Sequence, residues 1–416
     1  MAFQQGLSGL NASARALDVV GNNVANSSTV GFKSSNAHFA DLYAASMNGG
    51  GAVQVGIGTQ LASVFQQFTQ GNVTTTNNPL DVAINGGGFF NVTRNGEIMY
   101  TRNGQFHADK EGYIINDQDY RLMGYLASPS GEIVMSQPAA IQLDTSNIAP
   151  RATGSALGGN ARMVLNLNSG EDVPAVSPFN DQDPLTYTYS TAQTVYDTLG
   201  AEHVITYFFA KTTTPGEWEV HATLDGANPA AMGTLQFDTN GTLTSTMPMS
   251  FPTTGWPITT GAETPLGSGQ PNWNIDFTGT TSFAGTSTVN SKYQGGYAQG
   301  ELSGISIATD GTVLGNYSNG ESKKLAQIVL STFPNPNGLI DAGNNLYQST
   351  STSGQPLVGV PESGTRGLLR QMAVEDSNVD LTSELVNMIT LQRNYQANAQ
   401  TIRTQDQIMQ TMVNLR

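Results

Sequence analysis

The sequence predicts a mainly β protein with α-helical ends: two β domains, one inserted in the other, plus a paired terminal-helix domain of coiled-coil character. Three observations carry this. Apolar residues at heptad spacing are confined to about the first 24 and the last 36 of the 416 residues. Short, Thr-rich, alternating segments fill the stretch from 72 to about 356. Asn-Gly dipeptides at 85–86, 95–96, 103–104, 240–241, 319–320 and 337–338, with Asp-Gly at 225–226 and 310–311, punctuate those segments. Such pairs favour tight hairpins because both residues tolerate positive φ.

At the N-terminal end, Phe3, Leu7, Leu10, Ala14, Leu17, Gly21 and Val24 step alternately by four and three, a heptad seam. Gly6, Gly9 and Gly21 each cost this helix about 1 kcal/mol, and a short helix is marginal alone. At the other end, Leu381, Leu385, Met388, Gln392, Tyr395, Ala399, Ile402, Asp406, Met409 and Val413 repeat the alternation behind Asp380, a suitable N-cap. Amphipathic stripes of this kind are most simply core faces of ordinary helices. The polar composition argues for more. Residues 381–416 hold ten Asn or Gln and only five charged residues. An amide-rich face packs against neighbours, or lines a wet channel, without burying charge. The two ends are therefore expected to pair with each other and with other copies, to lack order in the lone chain, and to fold on assembly. The expected interface is Phe3, Leu7, Leu10, Ala14, Leu17, Val24, Leu381, Leu385, Met388, Tyr395, Ala399, Ile402, Met409 and Val413.

Within the β region, Thr93-Arg94-Asn95-Gly96 recurs as Thr101-Arg102-Asn103-Gly104, which predicts the strand Glu97-Ile98-Met99-Tyr100 between two turns. A boundary falls near 147. Residues 145–298 carry 12 acidic and 4 basic side chains, −8 of the chain's net −15, and all three Trp (Trp218, Trp256, Trp273). Thr186-Tyr187-Thr188-Tyr189 and Val204–Phe209 are strand candidates there. Residues 147–298 read as an acidic β domain inserted into a parent β domain, 72–146 with 299–356. The parent resumes with Ile305-Ser306-Ile307. Residues 30–71 and 357–373 read as linkers, with Met47-Asn48-Gly49-Gly50-Gly51 flexible by composition. Residues 1–29 with 374–416 form the helical polymerisation domain.

Composition excludes several functions. A net charge of −15 argues against nucleic-acid binding. Without Cys there is no thiol chemistry or disulfide. No apolar run reaches the roughly 18 residues that a membrane span needs, and the N-terminus lacks the basic and apolar regions of a cleaved secretory signal. Charged residues are 12% of the chain, so little repulsion separates copies. Gly86-Gly87-Gly88 lacks the Lys-Ser/Thr of a phosphate loop and reads as a turn or bulge. His38, His107, His203 and His221 show no ligand spacing. Asn180-Asp181-Gln182-Asp183 lacks the Gly and distal Glu of a Ca²⁺ loop. Glu217 and Glu219 are a pair that any acidic β domain offers. No catalytic residue, metal or cofactor is expected.

Four motifs point to a family. Leu17-Asp18-Val19-Val20-Gly21-Asn22-Asn23-Val24-Ala25-Asn26, continuing through Thr29-Val30-Gly31-Phe32-Lys33, resembles the N-terminal signature of the bacterial flagellar rod and hook proteins. Glu384–Ile389 and Gln392–Asn398 resemble its C-terminal counterpart. Ile84-Asn85-Gly86-Gly87-Gly88-Phe89-Phe90 and Tyr100-Thr101-Arg102-Asn103-Gly104-Gln105-Phe106 are similar to its β-domain motifs. Gly31-Phe32-Lys33 is expected to order the linker; the plainer reading of Lys33 is a solvated charge. Rod members are shorter and lack an insertion at 147–298, so the resemblance is to the hook branch.

That resemblance implies a structural subunit whose helices line an export channel, with β domains stacked outside. Such subunits build a bending tube, a universal joint that transmits torque. It implies export to the flagellum, at the cell surface, without a cleaved signal. It also implies partners: further copies, the distal rod protein, the hook cap, the hook–filament junction protein, the export apparatus and the hook-length control protein. No nucleic acid or membrane insertion is implied. A distal rod subunit with an unusual insertion and a secreted carbohydrate-binding or hydrolytic β protein are the alternatives; the latter leaves the helical ends unexplained.

Overall fold

The structure is a computed structural model that describes residues 2–42, 56–154, 161–250 and 274–414. The Met47–Gly51 run, Trp256 and Trp273 lie outside the described residues. The chain forms two compact units. The first comprises Met1–Thr145, Gly304–Gly315 and Ser322–Arg416; the second comprises Ser146–Ser303 and Asn316–Glu321.

Both chain ends are helical, α1 over Ala2–Ala25 and α2 over Leu381–Asn414. Asp380 caps α2 as expected: its Oδ1 accepts from the Thr382 and Ser383 amides at 2.9 and 3.2 Å. After α1 come β1 (Ser35–Leu42), β2 (Gly58–Gln66), β3 (Val73–Thr75), β4 (Val82–Asn85), β5 (Phe89–Arg94) and β6 (Glu97–Thr101). β5 and β6 lie at the centre of a long sheet. On one side follow Leu346–Gln348 and Ile340–Gly343. On the other follow Arg121–Leu126, Ser322–Ile328, Thr312–Tyr317 and Leu302–Ile307. Ile84, Phe90, Val92, Leu122, Ile328 and Leu330 belong to its buried core.

The hairpin predicted at Asn95-Gly96 is present. Arg94 lies opposite Glu97, and φ is 53° at Asn95 and 86° at Gly96, as a two-residue primed turn requires. The second copy of the motif does not turn. A Cβ on Gly104 would run into the Val82 carbonyl, and the Val82 amide donates to the Gly104 carbonyl at 2.9 Å. Glycine is needed there for close backbone approach, which a dipeptide pattern does not distinguish from a turn.

The linker reading of 30–71 and 357–373 needs correction. β1 and β2 pair antiparallel along their lengths, with a bulge after His38. Leu357–Gly359 pairs with Leu330–Thr332, and Leu368–Gln371 pairs with β4. These strands are short or two-stranded and bury no continuous face. Backbone pairing holds them, and little side-chain alternation records it.

In the second unit, Tyr189–Tyr196, Glu202–Lys211, Glu217–Leu224 and Ala227–Gln236 form an antiparallel meander. A second sheet orders Met249–Ser250, Asn274–Asp276, Ala161–Asn166 and Thr288–Tyr293. Met163, Ile205, Tyr207, Trp218, Ile275 and Phe277 from both sheets share one core. The expected strand at Val204–Phe209 lies within Glu202–Lys211. Thr186 instead ends a short 3₁₀ turn, Pro184–Thr186, and the following strand starts at Tyr189.

At one edge of this unit, His203 joins two turns. Its Nδ1 lies 2.7 Å from Asp225 Oδ2 and its Nε2 lies 3.4 Å from Asp197 Oδ2. Burial pulls the imidazole pKa down, but the two carboxylates outweigh it and hold the group above its ordinary value. The protonated form is thus favoured in the fold. Its stabilisation is complete below the unfolded value near ~6.5 and is lost as pH rises through the higher folded value. Thermal melts should therefore separate wild type from His203→Gln more widely at pH 6 than at pH 8.5. An equal gap at both would overturn the assignment.

Candidate assembly interface and its root

The helix pair is sealed by small residues. Gly6, Ser13, Ala16, Val20 and Asn23 are the buried positions of α1, a heptad set one residue ahead of the expected seam. A Cβ on Gly6 would lie 3.2 Å from Ile402 Cγ1, and one on Gly9 would lie 2.9–3.0 Å from the Asn398 amide group. Glycine therefore lets α2 come close, which accounts for two of the three helix-weakening glycines. Ser13 satisfies its own hydroxyl on the Gly9 carbonyl at 2.8 Å.

A shift of one residue rotates a helix face by about 100°. The expected seam of α1 is consequently rotated off its most buried face. Phe3 and Leu7 are exposed, while Leu10, Ala14, Leu17 and Val24 are half-buried. On α2, Met388, Ala399 and Ile402 are half-buried, whereas Leu381, Leu385, Tyr395, Met409 and Val413 are exposed. Val386, Ile389, Ile408 and Met412, which the heptad spacing missed, are exposed too. Both ends are helices in the structure of the single chain. They pair in cis through the small-residue face and leave the larger side chains uncovered.

The motifs after α1 build the root of this pair. Asn23 is fully buried. Its Nδ2 donates to the Ser35 carbonyl at 2.8 Å and to Glu384 Oε1 at 3.1 Å, and its Oδ1 accepts the Ser35 amide at 2.9 Å. One side chain thus ties α1 to the start of β1 and to α2. Asn26 closes the end of α1: its Nδ2 donates to the Asn22 carbonyl at 3.0 Å, and Thr29 Oγ1 donates to its Oδ1 at 3.1 Å. Gly31 takes φ +73°, and a Cβ there would lie 2.6 Å from the Asn103 amide nitrogen.

Lys33 is not solvated. It is fully buried, and its Nζ donates to Glu375 Oε1 at 2.6 Å and to the Thr69 carbonyl at 2.7 Å. Glu375 Oε2 accepts from Arg102 Nη1 at 3.2 Å. Arg102 also donates to the Gly86 carbonyl at 2.9 Å and lies over the Phe89 ring at 5.5 Å. Burial pushes both cations below their ordinary pKa values, while the Glu375 carboxylate opposes that shift. Phe32 is buried beside Lys33 in the chain. Phe90 and Phe106 meet edge to face at 5.3 Å in the sheet core, and Phe89 packs with Tyr347 and Phe333. Gly88 holds φ +119° just before β5. Sequence reasoning missed Glu375 and Asn378, whose Oδ1 accepts the Ser34 amide at 2.7 Å. Lys33 directly follows Val30-Gly31-Phe32, a weak signal of burial, whereas Arg102 between Thr101 and Asn103 gave none.

Four family models match the chain: "Flagella basal body rod protein" over residues 3–33, "Flagellar hook protein FlgE/F/G D1 domain" over 83–155, "Flagellar basal body protein FlaE D2 domain" over 166–297 and "Flagellar basal body rod FlgEFG protein C-terminal" over 370–415. The flagellar hook protein FlgE of Salmonella typhimurium is 42% identical over 426 residues, with all of both chains covered. The chain belongs to the flagellar hook protein FlgE family. The FlgE of Escherichia coli K12 is also 42% identical, again over the whole of both chains, and that of Borreliella burgdorferi is 31% identical over all of this chain and 99% of its own. The crystal structure of Helicobacter pylori FlgE2 shares the fold at TM-score 0.53 and 14% identity, covering 73% of this chain and 100% of that one. The protein is a structural subunit of the hook, part of the bacterial flagellum.

Three substitutions probe this geometry in the lone hook subunit. Gly21 has nothing within 4 Å of a built Cβ, so Gly21→Ala should stabilise α1 by up to about 1 kcal/mol. Gly9→Leu should instead part the helices and lower the helical circular dichroism signal; equal effects from the two would contradict the small-residue seal. Gly31→Ala combines a positive φ with backbone contact and should destabilise the first unit by about 2 kcal/mol or more in denaturant titrations.

Proposed function

We propose that this hook subunit polymerises into a tube through the apolar side chains its own helix pair leaves uncovered. The observation that supports this is the division of labour on the helices. Small residues close the pair, while Phe3, Leu7, Leu385, Ile389, Tyr395 and Met409 remain in solvent. Covering one such side chain contributes roughly 1.5–3 kcal/mol, so a monomer carries a large unspent drive for association. Neighbouring copies that cover both helices in turn give a closed ring or helix of helices, with the β units carried by the arms.

The same reading explains torque transmission with bending. Contacts among β units of a charge-poor, Thr- and Asn-rich chain are weak, polar and wet, and such contacts exchange partners at little cost. Buried ion pairs between copies would resist sliding. Rod, cap, junction, export and length-control proteins are the partners that this role brings with it, each meeting the tube at an end or passing along it.

The test is Leu7→Glu combined with Leu385→Glu. The full chain is expected to form sedimenting polymer when concentrated, and the double variant to remain monomeric while its β units melt as in wild type. Polymerisation of the double variant at the wild-type concentration would sink the proposal.

A further inference from the structure

Three chain segments besides its own converge on one carboxylate in the first unit. Glu375 is fully buried in the strand Ala373–Glu375, which pairs with β3. Its Oε1 accepts from Lys33 Nζ at 2.6 Å and from the Gly71 amide at 2.9 Å; its Oε2 accepts from Arg102 Nη1 at 3.2 Å. Its backbone carbonyl accepts the Gly31 amide at 2.7 Å. Lys33 follows α1 by eight residues and Glu375 precedes α2 by six, whereas Arg102 directly follows β6 in the β core. Arg102 is anchored independently through the Gly86 carbonyl and the Phe89 ring.

We propose that Glu375 is a latch that sets the roots of both helical arms on the β core in one step. The argument is electrostatic. Neither arm root can take its place alone. Without Glu375, Lys33 and Arg102 would be two buried like charges in mutual repulsion. Without Lys33, one oxygen of Glu375 loses a charged donor in a fully buried site. A buried charge deprived of its partner is costly, far more so than an exposed pair is favourable. The N-terminal and C-terminal arms are therefore docked or released together, although Lys33 and Glu375 lie 342 positions apart. The Arg102 contacts to Gly86 and Phe89 belong to the core and do not need either arm. The latch does not depend on how copies of the chain meet, so it stands or falls separately from the polymerisation reading.

Amide hydrogen exchange on the full-length monomer tests this. Glu375→Gln should speed exchange about tenfold or more in residues 29–36, on the other arm, as well as in its own segment 372–380. Lys33→Met should do the reverse, loosening 372–380 as well as 29–36. The core strands β5 and Arg121–Leu126 should keep wild-type protection in both. The latch is overturned if each variant loosens only the segment that carries it, or if the core strands loosen to the same degree as the arms. Should Glu375→Gln fail to fold, Lys33→Met alone carries the cross-arm reading with the same two outcomes.

Discussion

A single buried carboxylate, Glu375, organises the first unit, because among the described residues it is the counter-charge that pairs with both Lys33 and Arg102, two buried cations from the N-terminal half of the chain. Lys33 lies 2.6 Å from it and Arg102 lies 3.2 Å from it. Charges in an apolar interior are tolerated only when paired and hydrogen-bonded, so the surrounding backbone is drawn in to complete the site: Gly71 through its amide, Thr69 and Gly86 through their carbonyls. Gly31, with its left-handed φ, brings Lys33 to this point against the Asn103 backbone. The positions of both helix roots follow from these bonds. Asn23 extends the same logic one layer outward by joining α1, β1 and Glu384 of α2.

The helices above this root meet two demands with two faces. Close pairing in cis needs small residues, and Gly6, Gly9, Ser13 and Ala16 provide them. In the proposed assembly, association in trans would use the exposed apolar residues such as Phe3, Leu7, Leu385 and Met409. Glycines that weaken an isolated helix thus strengthen the pair by allowing van der Waals contact that a Cβ would block. The helix loses intrinsic propensity and gains a partner, which is the usual balance where tertiary packing supplies most helical stability.

The acidic segment of the second unit obeys a simpler rule. Two sheets bury one core around Tyr207, Trp218 and Phe277, and its polar features sit at turns. Aspartates such as Asp197 and Asp238 accept the amides of their own turns, so much of the negative charge of this region is spent locally on backbone donors. His203 is placed between two such turns.

Much of the architecture was legible in the residues themselves. Heptad spacing located both helices, Asp380 announced the start of the second, and Asn95-Gly96 announced a hairpin, because periodicity and turn chemistry are local properties. The terminal and β-domain motifs were legible as a family signature. Which heptad face closes the pair was not, since apolar periodicity marks the larger side chains and close approach selects the smaller ones. The ribbon of β1 and β2 was hidden for a related reason: backbone pairing leaves little trace in side-chain character. Lys33 read most plainly as a solvated charge, and its burial beside Glu375 appears only in the structure. A counter-charge 342 positions distant is a fact of three dimensions, and only the folded chain could decide it.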